Sequence, residues 1–458
     1  MGLIGKYNGI IVGCRSIAIA AAFSCLAFSD TPVAGGTTTT NSAGALAAAA
    51  PETLTLADAR RMAFERNWDL LAARSGVSLA DAQLLIAKEY PNPTVSLSTV
   101  KIDPHSEGNA TPLGSGVWDR SYDTIAAVSQ LVEIGGKRGA RQRSARQGIA
   151  GARARFFDAR RSLDQGVTKA YAAALLAVEN QRILASSAAS LRREADLAGV
   201  RFRAGDISDS DLKQIENNAD VFELQAKTAD TAAVQARIAV EILLGVPRPI
   251  GKWIPADSLD QLLAEPRPEA AGNPEISRPD VLAAEADLRR SEADLQLQKA
   301  VRIPDPTFLL QYEHNPPGPP GPDTVGIGVS FPIPLWNLNR GAIQAAEAAK
   351  EQNAIALGKA KAQVLADIAN AEASYHESLE RLKRYQEQIR PKAAKVRESV
   401  AFAYEKGGAS LVDLLTAERD DNSVRLATAQ AMSDTISAAA DLEAARYVLS
   451  ENDLNSWK

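Results

Sequence analysis

The sequence predicts a mainly α chain with four membrane β-strands, built as a tandem-duplicated protomer of a larger barrel. Three observations predict it. One set of short motifs occurs twice at a spacing near 200 residues, alternating strand-like segments lie just ahead of very long proline-poor stretches, and aromatics make up only 5% of the 458 residues.

The duplication is read from ordered pairs. Pro91-Asn92-Pro93-Thr94 is echoed 213 positions later by Pro304-Asp305-Pro306-Thr307, and Asp123-Thr124 returns after 200 positions as Asp323-Thr324. Arg138-Gly139 returns after 202 as Arg340-Gly341, and Gly205, Ser208, Asp211, Leu212 and Glu216 return after 202 as Gly407, Ser410, Asp413, Leu414 and Glu418. The order is kept, and the small drifts fall where loops absorb insertions. Each unit reads as helix, strand, loop, strand, very long helix, tight turn and returning helix. The first covers 54–245 and the second 279–450. Between them, 246–278 holds prolines 247, 249, 255, 266, 268 and 274, which marks a connecting strap rather than a core element.

Ahead of the first unit, Lys6 and Arg15 precede an apolar run from Ile17 to Phe28 that is too short to span a bilayer. Residues 1–28 therefore read as an export signal, and 29–53 as a flexible leader with several small-residue cleavage points, among them Ala43-Gly44-Ala45. Both cysteines, Cys14 and Cys25, lie in this region, so nothing downstream can form a disulfide. Cys25 follows Ala22-Phe23-Ser24, a poor lipidation signal. No later segment has about 18 uninterrupted apolar residues, so any span must be made by strands. Residues 451–458 read as a tail.

The strands are expected near 93–102, 122–132, 306–314 and 323–332. In the last, Val325, Ile327, Val329 and Phe331 alternate with Thr324, Gly326, Gly328 and Ser330. Its partner alternates Phe308, Leu310 and Tyr312 with Thr307, Gln311 and Glu313, and Leu309 breaks the rule; Tyr122 to Leu131 alternates poorly. An open four-stranded sheet cannot sit in lipid with its edges unpaired. The chain must therefore oligomerise, and a trimer would supply twelve strands.

After each strand pair comes a helix of roughly 65 residues, about 100 Å long, from Gly139 to about Ala204 and from Ala342 to about Lys406, the second with one expected kink at Pro391. Each ends at a glycine-bearing turn, where Ser208 or Ser410 can cap the returning helix and Asp211 or Asp413 places charge in its first turn.

The net charge of −5, from 51 Lys and Arg against 56 Asp and Glu, gives no pull toward nucleic acid. Nine bases between Lys137 and Arg161, opposed by Asp158 alone, lack interleaved aromatics. Directly after a membrane strand they read as meeting lipid headgroups, or as a solvated helix face. His105 and His314 each follow a first strand beside acids, and His376 sits on a helix without a partner at ligand spacing. Such lone histidines are ordinary loop or surface chemistry, so no metal site is expected, and no cofactor. No catalytic motif is present, so the chain is not expected to be an enzyme.

The PNPT and PDPT strand openings, the segments SQLVEIGGKRGAR (Ser129 to Arg141) and GVSFPIPLWNLNRGAI (Gly328 to Ile343), and the paired G-x-x-S-x-x-D-L turns resemble TolC-like outer-membrane efflux proteins from about Leu54 onward. The Pro-rich loop Asn315 to Pro322 and the PIPLWNLNRG wording are most similar to the heavy-metal, CzcC-like branch. The resemblance implies a homotrimer with a 12-stranded β-barrel in outer-membrane lipid, continued through the periplasm by a long α-helical barrel. It implies two further partners, a periplasmic adaptor (membrane fusion) protein and a proton-driven inner-membrane pump of the resistance-nodulation-division type.

The resemblance places Gly205, Ser208, Asp211, Leu212, Gly407, Ser410 and Leu414 at the periplasmic tip, where adaptors dock. The entrance gate corresponds to Tyr404, Asp413 and Thr416. In the family's best-known member two acidic residues one turn apart line that gate; here Thr416 replaces the second, and Ala409 stands where that gate has an arginine. The implied function is an exit duct for divalent heavy-metal cations such as cobalt, zinc or cadmium. A multidrug or polypeptide duct, or a periplasmic structural coiled-coil protein, remains open on the residues alone.

Overall fold

The computed structural model describes residues 51–99, 124–264, 272–314 and 323–449. The segment expected to be an export signal, Cys14, Cys25, His105, the loop Asn315 to Pro322, Pro266, Pro268 and the expected tail 451–458 lie outside the described residues.

In chain order the elements are β1 (Thr53–Leu54), α1 (Leu56–Arg66), α2 (Trp68–Lys88), β2 (Thr94–Thr99), β3 (Thr124–Leu131), α3 (Lys137–Ala204) and α4 (Asp209–Leu243). The strap supplies β4 (Ile254–Pro255), α5 (Leu259–Ala264) and α6 (Pro274–Ser277). Then come α7 (Pro279–Val301), β5 (Thr307–His314), β6 (Thr324–Ser330), α8 (Arg340–Arg384), a π turn (Tyr385–Ile389), α9 (Arg390–Glu405) and α10 (Leu411–Ala445).

The large sheet is antiparallel, in the order β2-β3-β5-β6. Each strand continues into a helix or receives one, and the helices follow the same order: α2 packs on α3, α3 on α7, and α7 on α8. Sheet and helical layer thus share two open edges, one at β2 and α2, the other at β6 and α8. Below the sheet-proximal helices, α4 lies along α3, and α10 packs against α3, α8 and α9. At 68 residues, α3 is roughly 100 Å long.

Among the described residues one helix, α2, is long and apolar enough to cross a membrane. It carries Asp69, Arg74, Asp81 and Lys88, and it runs along α3. Asn67 starts it: the side-chain oxygen accepts from the backbone N–H groups of Asp69 and Leu70, both at 3.0 Å, while its amide donates to the Leu243 carbonyl.

The strap departs from the sequence expectation, because it enters the core. Trp253 is 2% exposed and stacks on Tyr171 of α3 with ring centroids 5.8 Å apart. Its indole donates to the Arg237 carbonyl at 3.1 Å. Asp257 accepts from the Tyr171 hydroxyl (2.9 Å) and from the Leu56 N–H (2.7 Å), which ties strap, α3 and α1 together. Burial pushes the Tyr171 hydroxyl well above its ordinary pKa, and the Asp257 carboxylate adds to the shift. Glu241, 2% exposed, accepts from the backbone of Ile250 and Gly251 at 2.6 and 2.8 Å. Gly245 turns the chain out of α4 at φ +71°, where a Cβ would lie 2.2 Å from the Arg66 carbonyl oxygen. Prolines mark this segment as irregular, but its Trp and Leu residues fill the core.

Pro391 follows a π turn instead of kinking the helix by itself. The Arg390 N–H reaches back five residues to the Tyr385 carbonyl, and the widened turn accommodates the proline ring.

The Lys137–Arg161 segment is also reassigned, from lipid headgroups or solvent to protein partners. Lys137, with its side chain 8% exposed, bridges Asp305 at 2.7 Å. Arg141 pairs with Glu133, Arg155 with Asp287, and Arg161 with Asp158. Arg138 donates to the Lys88 carbonyl and lies 3.8 Å over the Tyr90 ring. The physical reason is position: α3 runs between α2 and α7, so the Lys88 carbonyl and Asp287 reach it from those helices, while Glu133 and Asp305 reach it from the loops at its start and Asp158 from within α3 itself.

Trp253→Ala removes the stacked indole from a filled site and is expected to cost about 3–5 kcal/mol, read as a lowered unfolding midpoint in detergent. Trp253→Phe keeps the stack and should lose much less.

Candidate functional site: sheet faces and hairpin tips

The register sorts the sheet into two chemically distinct faces. Leu97, Ala126, Tyr312 and Val325 form one cross-strand row, and Val95, Val128, Leu310 and Ile327 the next. Gln130, Phe308 and Val329 continue the same face. Most of these apolar side chains are exposed, Ile327 by 87%. In water that face would be an aggregation liability; against acyl chains it is the expected surface.

The opposite face carries Thr94, Ser129, Leu309 and Gly328, then Ser96, Ala127, Gln311 and Gly326, then Ser98, Ile125, Glu313 and Thr324. It is small and polar, as a water-filled lumen requires. Leu309, the exception in the sequence pattern, stands opposite Gly328, whose missing side chain leaves it room. Ile125 explains the weak alternation of β3 in the same way, as an apolar residue on the polar face. The PDPT motif works at the foot of this wall: Asp305 accepts the Ile134 N–H at 2.9 Å and pairs with Lys137.

At the outer end of β5 and β6, His314 Nδ1 lies 2.9 Å from Asp323 Oδ1, and Tyr312 donates to the same carboxylate. His376 packs near Tyr375. Among the described residues no group of three His, Cys, Asp or Glu side chains is arranged to hold a metal ion.

The first hairpin tip is closed by Gly205 at φ +86°, whose N–H donates to the Phe202 carbonyl at 3.0 Å. Ser208 then caps α4, its hydroxyl accepting from the Asp211 N–H at 3.1 Å and donating to the Asp211 carboxylate at 2.8 Å. Leu212 is buried among Leu191, Ala195, Ile215, Phe222 and Leu415.

The second tip turns at Gly407, φ +76°, which donates to the Tyr404 carbonyl at 3.0 Å. Here the cap is reciprocal. Ser410 accepts from the Asp413 N–H (3.2 Å), and Asp413 accepts from the Ser410 N–H (3.0 Å) and hydroxyl (2.6 Å). These hydrogen bonds, the hydroxyl's first, hold the exposed Asp413 carboxyl below the usual carboxylate range. Leu414 is buried and Tyr404 half-buried, while Thr416 is exposed and spends its hydroxyl on the Val412 carbonyl at 2.7 Å. Leu415 joins the cluster around Leu212, so the two tips are packed together.

Above the tips, three helices bring together a charged group that no motif marks. Arg397 of α9 approaches Glu418 (3.2 Å) and Asp421 (3.6 Å) of α10, and Glu194 of α3 faces them. Burial pushes the Glu194 carboxyl above its ordinary value, and the Glu418 charge adds to this against Arg397 and Arg193. Nearby, Ser187 donates to Asn422 at 2.5 Å. Of these residues only Glu418 stood out in the sequence, as the repeat partner of Glu216. The juxtaposition of separate helices is invisible to spacing.

The model of the family described as outer membrane efflux protein matches residues 59–246 and 274–446. The cobalt-zinc-cadmium resistance protein CzcC of Cupriavidus metallidurans is 26% identical over 401 residues, 85% of this chain and 89% of that protein. The nickel-cobalt-cadmium resistance protein NccC of Alcaligenes xylosoxydans xylosoxydans is 24% identical over 286 residues, 60% of each chain. Among solved structures, CusC superposes with a TM-score of 0.72 at 16% identity, covering 86% of this chain and 92% of that one.

Two outcomes test this geometry. Ser208→Ala and Ser410→Ala should each destabilise the local helix start by about 1 kcal/mol, with faster amide exchange at the first turn of α4 or α10. The folded chain also holds the Glu194 proton more tightly than the unfolded chain does. This group's contribution therefore falls as pH rises from 4.5 through the raised folded value. Glu194→Gln should remove that slope and raise the melting temperature at pH 7 by about 2 °C.

Proposed function

The chain belongs to the outer membrane efflux protein family, and from that premise we propose that it is the exit duct through which a tripartite system expels divalent heavy-metal cations such as cobalt, zinc or cadmium. The single observation that carries the duct is the two-faced sheet, apolar on one side and small and polar on the other. The chain lies in the outer membrane and extends into the periplasm, where α3 alone is about three times longer than the ~30 Å hydrocarbon core of a bilayer.

The assembly is a homotrimer. What supports this is the pair of open edges. Unpaired N–H and C=O groups on β2 and β6 cannot face lipid, and β6 runs antiparallel to β2, so successive copies can pair edge to edge and close a ring. Three copies supply twelve strands, enough to leave a bore. The helical layer ends at the same two edges and continues the ring into the periplasm.

The tips are the adaptor-docking end. Gly205, Ser208, Asp211 and Leu212, with Gly407, Ser410 and Leu414, form paired turns at the end farthest from the sheet, and an inner-membrane pump of the resistance-nodulation-division type supplies the energy. Tyr404, Asp413 and Thr416 line the entrance. The ionised state of Asp413 suits a passage for cations. The metal cargo is supported by the likeness to CzcC and NccC, whose names state resistance to cobalt and cadmium among other metals.

The purified chain should run as a heat-modifiable trimer and give discrete conductance steps in planar bilayers; a soluble monomer without conductance would refute the duct. A deletion strain should lose tolerance to cobalt, zinc or cadmium, read as a lowered inhibitory concentration. Unchanged metal tolerance with new drug sensitivity would reassign the cargo.

A further inference from the structure

The duplication makes one contact inside the chain a template for a contact between chains. Within the helical layer α3 of the first repeat packs on α7 of the second, and α7 is the repeat counterpart of α2, the helix at one open edge. When copies meet edge to edge, α8 therefore faces the next copy's α2 as α3 faces α7. The α3–α7 contact is clamped at its sheet end. Lys137, the first residue of α3, donates to the Ile303 carbonyl at 2.5 Å and bridges Asp305 of the PDPT motif at 2.7 Å, with both side chains largely buried. Asp305 also accepts the Ile134 N–H, so one carboxylate joins the end of β3, the start of α3 and the start of β5.

The two halves of an equivalent clamp lie on the two open edges. On the α8 edge the cation is Arg340. The short motifs pair it with Arg138, but the backbone pairs it with Lys137. The residue before α3 is Gly136 at φ +78°, and the residue before α8 is Asn339 at φ +56°, the one non-glycine with positive φ among the described residues. Their carbonyls accept from the Ala140 and Ile343 N–H groups, each at 3.0 Å, so both helices open with the same turn and Arg340 takes the place of Lys137. Its surroundings agree. Arg138 reaches back to the α2 of its own repeat at the Lys88 carbonyl, whereas Arg340 is exposed and has no hydrogen-bond or ion-pair partner among the described residues, on α7 or elsewhere. On the α2 edge, Asn92 of PNPT stands where Asp305 stands in PDPT, and Tyr90 where Ile303 stands. The Asn92 side chain is exposed and likewise has no partner among the described residues.

We propose that Arg340 of one copy clasps the Asn92 side chain and the Tyr90 carbonyl of the next, closing the open edge as Lys137 closes the α3–α7 contact. The proposal rests on the homotrimer reading and adds to it the side chains that fix which level of one copy meets which level of the next. The change from carboxylate to amide follows from when each contact forms. Lys137 and Asp305 come together as the chain folds, whereas Asn92 faces water until copies assemble, and an amide costs less to dehydrate than a carboxylate. Arginine suits the second site because its planar fork can donate to an amide oxygen and a backbone carbonyl at once.

The test uses the full chain in detergent, with Cys14→Ser and Cys25→Ser where cysteines are introduced. Arg340→Cys combined with Asn92→Cys should give covalently linked dimers and trimers with a short bis-maleimide reagent, and either substitution alone should give neither. Arg340→Asp should lower the temperature at which the trimer separates into monomers on a denaturing gel, and adding Asn92→Arg, which exchanges the two partners, should restore it. Asn92→Asp with Arg340 kept rebuilds between copies the ion pair found inside the chain, and should shift that temperature upward.

Trimers of the double-cysteine variant that form but do not link would overturn the clamp and leave the homotrimer standing. So would an exchange that fails to restore Arg340→Asp, or an Asn92→Asp variant whose trimer separates at the unchanged temperature. An unsubstituted chain that is monomeric in detergent would overturn the homotrimer reading together with the clamp.

Discussion

A hydrogen-bonded sheet with two bare edges is the constraint on which the rest of this protein depends. Each β-strand group that faces hydrocarbon unpaired costs several kcal/mol, and β2 and β6 each present a row of them. The chain has no way to satisfy both edges alone. Antiparallel order within the protomer, strand, partner, strand, partner, makes the last strand complementary in direction to the first, so the same sheet that cannot stand alone is suited to be one sector of a ring. The helices inherit this geometry because each is covalently continuous with a strand, and their packing order α2-α3-α7-α8 repeats the strand order.

A sector of long helices has little interior of its own. Many large apolar side chains on α2, α4 and α8, such as Leu85, Leu224 and Ile355, remain exposed in the single chain. Its buried residues gather instead where the strap crosses, around Tyr171, Trp253 and Leu244, and at the tips, around Leu191, Leu212 and Leu415. Two small cores separated along a ~100 Å helix hold the sector in register at two levels. The strap level is reinforced by polar groups that accept several donors at once: Asp257 joins α1 and α3, and Glu241 fixes the strap backbone. Replacing such a partner leaves buried donors unpaired, which costs more than the bonds themselves are worth.

Much of the architecture was legible in the sequence because duplication and periodicity are one-dimensional signals. β2 and β5 begin at the PNPT and PDPT motifs, and both long helical stretches end at glycines whose positive φ the sequence could anticipate. What remained hidden has a common physical character. The strap's prolines announced irregular backbone, but irregular backbone can still carry Trp253 into a core. The bases from Lys137 to Arg161 looked unopposed because their partners, Asp287 and Asp305, lie far along the chain. Arg397 meets Glu194, Glu418 and Asp421 only after three helices have packed. Asp413 was legible as a capping residue, and the structure adds that its partner Ser410 bonds to it from both backbone and side chain.

The two repeats have diverged where their tips differ. Ser208 and Ser410 both cap a returning helix, but only at Ser410 is the backbone N–H of the cap also satisfied by the aspartate three residues on. The second hairpin also contains the π turn ahead of Pro391, and it places Arg397 among carboxylates on two other helices. A π turn is a local widening that lets a helix change direction without losing its hydrogen bonds. A charged cluster between helices responds to their separation more steeply than apolar packing does, since attraction and desolvation change together as the groups part. The second hairpin therefore combines a rigid tip with an adjustable shaft, whereas the first is one uninterrupted helix packed along its length on its neighbours. Of the two hairpins, the one that carries Asp413 is therefore the better able to change its direction ahead of the tip.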